Sequence, residues 1–198
     1  MSSTSAPFGL RPAFHPSGLD RAQALAGGIP SAYNTAILKG QPVRYQTTAI
    51  GGTLGTILPA TTSGAWVGAF AGVEWTDTTG RRRVSNYWPA NTAYIAGSCV
   101  AYFYNDQNIV YEIQASGSMA QTTIGNEFNF SNVTAGSTTT GLSAATLDAS
   151  SAVGNGVQGQ LRVVDIAPYV DNDWGDTYTI VRVVCANSQF FGAVTAIA

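Results

Sequence analysis

From Ser31 onward, short apolar runs alternate with clusters of Gly, Pro, Asn and Asp, a rhythm of strands and turns without an amphipathic helix of ordinary length. The clearest period of two sets Ile109, Tyr111 and Ile113 against Val110, Glu112 and Gln114, as expected of a strand with one buried face. Residues 99–104 precede it across Asn105-Asp106-Gln107-Asn108, which predicts a hairpin. Residues 33–38 and 42–48 read as two short strands joined at Lys39-Gly40-Gln41, with Pro42 at a strand start where its missing donor costs nothing. In residues 66–75 the aromatic and β-branched positions favour a strand, while Gly68 and Gly72 mark a bulge or a close backbone approach. Asp77-Thr78-Thr79-Gly80 is turn chemistry, and residues 81–87 return as the second arm of a hairpin. Residues 116–125 suggest a short helix or turn. Residues 129–157, rich in Ser, Thr and Gly, read as a long surface loop or short edge strands, and residues 160–166 and 177–186 as two closing strands. The sum is an all-β domain of about eight short strands, an antiparallel β-barrel or β-sandwich.

Residues 1–30 follow a different pattern. Pro7, Pro12, Pro16 and Pro30, with Gly9, Gly18, Gly27 and Gly28, break any helical or strand period. The expectation is an extended N-terminal arm, with one helical turn around residues 20–26, ahead of a single β-domain over residues 31–198. Phe8, Leu10, Phe14 and Leu19 give the arm more apolar surface than a solvated tail needs, which points to docking on a neighbouring subunit. Deleting residues 1–28 is then expected to leave the β-domain folded.

Charge narrows the classes. Among 198 residues, 9 are Lys or Arg and 11 are Asp or Glu, a net charge of −2, and only 10% of residues are charged where an ordinary domain carries roughly 25%. Lys39 is the only lysine, so there is no basic field for nucleic acid. Apolar stretches are interrupted by Gly well short of the roughly 20 residues that span a bilayer, and the first residues lack the pattern of a secretory signal. That excludes a membrane-spanning helix and predicts synthesis in a reducing cytoplasm. Neutral polar groups desolvate cheaply when they find hydrogen-bond partners, so this composition suits broad contact with other proteins. Cys99 and Cys185 lie far apart in strand-like runs, which leaves two states open, free thiols or a bridge between neighbouring strands.

Candidate chemistry is sparse. His15 is the only histidine and lies in the arm, so a nucleophile–base arrangement would need an arm residue to complete it. Glu74, Glu112 and Glu127 are the only glutamates, and pairing Glu74 with Asp77 has no specific spacing. Asp171-Asn172-Asp173-Trp174-Gly175-Asp176 has the oxygen-rich look of a calcium loop, but Gly175 is fifth rather than sixth and Arg182 stands where the twelfth-position Glu belongs, which favours an Asx-type turn. Gly51-Gly52-Thr53-Leu54-Gly55 lacks the lysine of a phosphate-binding loop. Trp66, Trp75, Trp88 and Trp174 could line a sugar-binding face or anchor core and interfaces. Arg81-Arg82-Arg83 is the one charge run, either a docking patch for an acidic partner or a solvated hairpin end. No catalytic residue, metal or cofactor is expected.

Five segments in order resemble one family: Ala6-Pro7-Phe8-Gly9-Leu10-Arg11-Pro12, Gly72-Val73-Glu74-Trp75-Thr76-Asp77, Tyr87-Trp88-Pro89, Ile109-Val110-Tyr111-Glu112-Ile113-Gln114-Ala115 and Asp171-Asn172-Asp173-Trp174-Gly175. Together they are similar to tailed-bacteriophage head decoration, or capsid cement, proteins, over most of the chain and least in residues 131–156. The resemblance implies an all-β virion protein, made in the host cytoplasm, that sits on the outside of the head, bridges neighbouring major capsid protein subunits and stabilises the capsid against internal DNA pressure. It also implies self-association as a homotrimer. Phe8, Leu10, Arg11, Phe14, Arg81, Arg82 and Arg83 are the candidate interface residues. Two other readings stay open: a tail, neck or minor capsid structural protein, and a carbohydrate-binding adhesion module.

Overall fold

A computed structural model describes residues 2–18, 24–46, 55–154 and 156–190. The chain is all-β, and its two main sheets are antiparallel and open, so the architecture is sandwich-like rather than a closed barrel. The first sheet holds β1 (Arg11–Phe14), β8 (Val110–Gln114), β15 (Ile180–Cys185), β14 (Leu161–Ile166) and β9 (Glu127–Phe128), in that spatial order. The second runs β2 (Ala24–Gly27), β7 (Val100–Tyr104), β5 (Gly68–Thr76), β3 (Pro42–Tyr45) and β4 (Ile57–Pro59), with β6 (Arg82–Ser85) paired to the far half of β5. Two small ribbons, β10 (Phe130–Ser131) with β13 (Thr146–Leu147) and β11 (Gly136–Ser137) with β12 (Leu142–Ser143), complete the set. Among the described residues no helix is long and apolar enough to cross a membrane.

Alternation along the strands of the second sheet serves two cores. Ala69 and Tyr104 face the first sheet, where Trp66, Tyr111, Ile113, Phe128, Leu161, Val163, Val181 and Val183 close a cluster. Phe70 and Phe103, one position away on each strand, face the opposite side and pack with Trp75, Trp88, Val43 and Ile57. Trp66 meets Phe130 edge-on at 5.0 Å, and its indole N–H donates to the Gln160 carbonyl at 3.0 Å. Each such side chain, buried, contributes about 1.5–3 kcal/mol through apolar area alone.

Several expectations hold. Residues 109–114, 160–166 and 177–186 contain β8, β14 and β15, and residues 116–125 hold a 3-10 turn at Gln121–Thr123. β5 carries the bulge, between Phe70 and Gly72. Gly68 makes the close approach, since a Cβ there would lie 1.6 Å from the Tyr104 carbonyl oxygen. The β5–β6 hairpin turns at Asp77-Thr78-Thr79-Gly80, where the Asp77 carboxylate accepts from the Thr79 and Arg81 backbone N–H groups and Gly80 takes a φ of 83°.

Others need correction. The strands before and after Asn105-Asp106-Gln107-Asn108 do not pair, because β7 lies between β2 and β5 while β8 lies between β1 and β15. The turn is a corner between sheets, pinned where the Tyr111 hydroxyl donates to the Tyr104 carbonyl at 3.1 Å. Residues 33–38 form no strand, only a bridge from Ile37 to Trp88, because this stretch covers the second core. Residues 129–157 do form short strands, but Phe130 and Leu147 are buried in the first core rather than lying at the surface. The candidate helical turn at 20–26 falls partly outside the described residues, and its described end belongs to strand β2. The segment read as an arm is extended, yet it supplies β1 to one sheet and β2 to the other. Pro12 is compatible with β1 because an edge strand needs ladder bonds on one side only. A deletion of residues 1–28 therefore removes strands from both sheets. The loop at 51–55 lies almost wholly outside the described residues.

Candidate functional site

The N-terminal segment is stitched along its length to its own chain. The Ser2 N–H donates to the Asp171 carbonyl at 3.0 Å, and the Gln114 side chain accepts from the Ala6 N–H and donates to the Thr4 carbonyl. Gln114 and Glu112, the polar face of β8, are buried beneath this segment. At Gly9 the chain turns with a φ of 71° and meets Gly40, itself at 80°, so closely that a Cβ on Gly9 would sit 2.5 Å from the Gly40 carbonyl oxygen. Both left-handed conformations favour glycine. The Leu10 N–H then donates to Gly40 at 2.7 Å, which fixes the segment onto the Lys39-Gly40-Gln41 turn.

Arg11 follows, directly opposite Glu112 on β8, with its guanidinium 2.7 Å from the carboxylate. Glu112 also takes Arg182 of β15 at 3.5 Å and the Tyr169 hydroxyl at 2.5 Å. Burial pushes this carboxyl up, but the Tyr169 hydrogen bond and the Arg11 guanidinium outweigh it and hold the group below the usual glutamate range. Asp165 stands opposite Arg182 in the register, so charges of alternating sign run Arg11, Glu112, Arg182, Asp165 across four strands. Arg11 stacks over the Phe8 ring at 4.8 Å and over Tyr169 at 5.6 Å.

Between this pinned segment and the second sheet a cavity of about 320 Å³ opens to solvent. Phe8, Leu10, Arg11 and Pro12 form one wall, and Ala69, Phe70 and Tyr104 another. Lys39 and Leu142 stand at the exposed side, both exposed and held together by backbone bonds from Lys39 to Gly141 and from Ser143 to Lys39. Among the described residues no carboxylate pairs with the Lys39 ammonium. Three interface candidates from the sequence, Phe8, Leu10 and Arg11, thus meet at one cavity. Phe14 does not; it stands 54% exposed at the end of β1.

Arg81, Arg82 and Arg83 lie elsewhere, on the β5–β6 hairpin. Arg82 pairs with Glu74, which the Tyr102 hydroxyl also reaches, and Arg83 pairs with Asp77 at 2.9 Å. Hydrogen bonds from Thr79 and Arg81 hold the Asp77 carboxyl far below its usual range. Two of the three guanidiniums are therefore spent within the hairpin, and Arg81 has no acidic partner among the described residues.

The remaining candidates have structural partners. His15 lies 3.0 Å from Asp106 and accepts from the Ser17 N–H, tying the end of β1 to the intersheet corner. The Asn172 side chain bridges Ala167 and Ile180 and closes the 167–180 loop through bonds five and eight residues long, not the local bond of an Asx-type turn. Among the described residues no cluster of metal-ligating side chains occurs. Cys99 and Cys185 are unpaired, and burial pushes the Cys185 thiol up to about 12. Trp66, Trp75 and Trp88 are core residues and Trp174 packs against the first core, so the four do not form an exposed aromatic face.

Sequence reasoning did not find Leu142, Tyr104 or Tyr169, and took Lys39 only as a turn residue. The lone lysine beside a glycine is the available signal; Tyr104 and Leu142 lie 65 and 103 residues further along the chain. Comparison with known protein families, curated proteins and solved structures returns no match.

Proposed function

We propose that this protein is a virion structural component that binds the outside of an assembled tailed-phage head and bridges major capsid protein subunits. The observation that carries the reading is the nature of the exterior. Phe14, Leu142, Val84 and Val170 expose large apolar side chains, the last two by 75% and 100%, on a chain with few charges. Isolated exposed apolar residues are ordinary, but several in a charge-poor surface favour protein contact over free circulation. The ordered segments that resemble head decoration proteins point the same way, and trimers are the assembly that resemblance implies.

A protein in this role needs a rigid frame and contact surface. Each copy that binds only the assembled shell adds its binding free energy to that state, so modest contacts multiplied over many copies suffice. The experiment is co-sedimentation of purified protein with expanded heads lacking it, counting bound copies and following the temperature of DNA release. Saturation at a symmetry-allowed number with a raised release temperature is the expected result. Absence of binding overturns the reading.

A further inference from the structure

We infer, resting on the head-binding reading, that the cavity beneath Phe8 and Arg11 receives an extended segment of a shell subunit, one that inserts an apolar side chain and sets an Asp or Glu against Lys39. The cavity walls are apolar and aromatic, from Phe8, Leu10, Pro12, Ala69 and Tyr104. Its volume of about 320 Å³ has room for a large side chain and lies at the lower end of the range in which proteins seat ligands.

Charge complementarity chooses the occupant. Of the two cations at the cavity, Arg11 is already committed to Glu112. Lys39 has no acidic partner among the described residues, although it is the only lysine in a chain with more acids than bases. A cation at the rim of an apolar pocket favours an acidic residue next to the inserted group, and steers and orients its approach. The pocket is also made in advance. The Gly9–Gly40 contact, the Arg11–Glu112 pair and the backbone bonds between Lys39 and the Gly141-Leu142-Ser143 segment fix its walls, so little ordering cost remains to binding.

The test uses the full chain bound to heads that lack it, treated with a carbodiimide that joins amines directly to carboxylates. The expected product joins the Lys39 side chain to an Asp or Glu of a shell subunit, with a large apolar residue within two positions of it. Lys39→Glu and Leu142→Asp, both at exposed positions that leave the cores intact, should each weaken head binding roughly tenfold, with Lys39→Arg near wild type. A Lys39 crosslink to a second copy of this chain overturns the proposal in favour of self-association. Normal head binding by both variants overturns it while leaving the head-binding reading standing. Failure of the wild-type chain to bind heads removes that reading, and the inference with it.

Discussion

Arg11 and Glu112 occupy directly opposed positions on neighbouring strands, their guanidinium and carboxylate 2.7 Å apart, and this pair fastens the N-terminal segment to the first sheet. Glu112 is nearly buried, whereas Arg11 is about half exposed, so the acid side carries most of the desolvation cost. Removing it also takes away the acceptor of the Tyr169 hydroxyl and the carboxylate nearest Arg182. Breaking a buried pair costs about 3–5 kcal/mol; with one partner half in water, Glu112→Ala should cost about 2 kcal/mol. Urea unfolding at neutral pH measures it, and a change under 0.5 kcal/mol, the scatter of ordinary surface substitutions, would contradict the role given to the pair.

The same carboxylate sets a direction for pH dependence. Its folded pKa lies below the ordinary 4.5, so the unfolded chain binds its proton more readily. The stability it contributes is complete above that value and is lost as pH falls from there through the lower folded value. Asp106 acts in the same sense, held below 3.8 chiefly by the Asn108 N–H and then by His15. Thermal midpoints should therefore fall as pH drops below about 4.5, and Glu112→Gln should flatten that slope. An unchanged slope in the variant would assign the acid sensitivity to other groups.

At Gly9 the constraint is steric. A methyl group there meets the Gly40 carbonyl at 2.5 Å and Ser143 Cβ at 2.8 Å, on backbone already in the left-handed region. The obstacle is backbone, not a flexible side chain, so the segment itself must move. Gly9→Ala should cost about 2 kcal/mol and speed proteolysis within residues 2–18. Gly80, equally left-handed but with open space around it, is the control; Gly80→Ala should cost about 1 kcal/mol and leave the N-terminal segment protected.

How far the sequence could be read follows from which relations are local. The period of two in residues 109–114 is local and was legible, as was the Asp77 to Gly80 turn. Whether β7 and β8 pair or part is not local. Asn105-Asp106-Gln107-Asn108 suits a hairpin and a corner equally, and the partner that β7 takes instead, β5, approaches it at Gly68, far back in the chain. Pro12 breaks a strand period in the sequence, yet an edge strand such as β1 tolerates a proline on the side without a neighbour. The cavity joins residues 8–12, 39–40, 69–70, 104 and 142, a set that no local spacing announces. Its clearest trace in the sequence was the isolation of Lys39.

Truncation separates a docked strand from a detachable arm. Removing residues 1–28 takes away β1, which covers one edge of β8, and β2, which covers one edge of β7. It also uncovers Glu112 and Gln114 and removes Leu10 from the first core. Unpaired strand edges flanking exposed apolar surface invite association. The truncated chain should thus lose its cooperative unfolding transition and aggregate, whereas Phe14→Ser, at an exposed position outside both cores, should unfold within about 0.5 kcal/mol of wild type. Circular dichroism melts of the two variants decide the matter. A truncated chain that melts cooperatively near the wild-type temperature would show that the β-domain does not need the strands the N-terminal segment supplies.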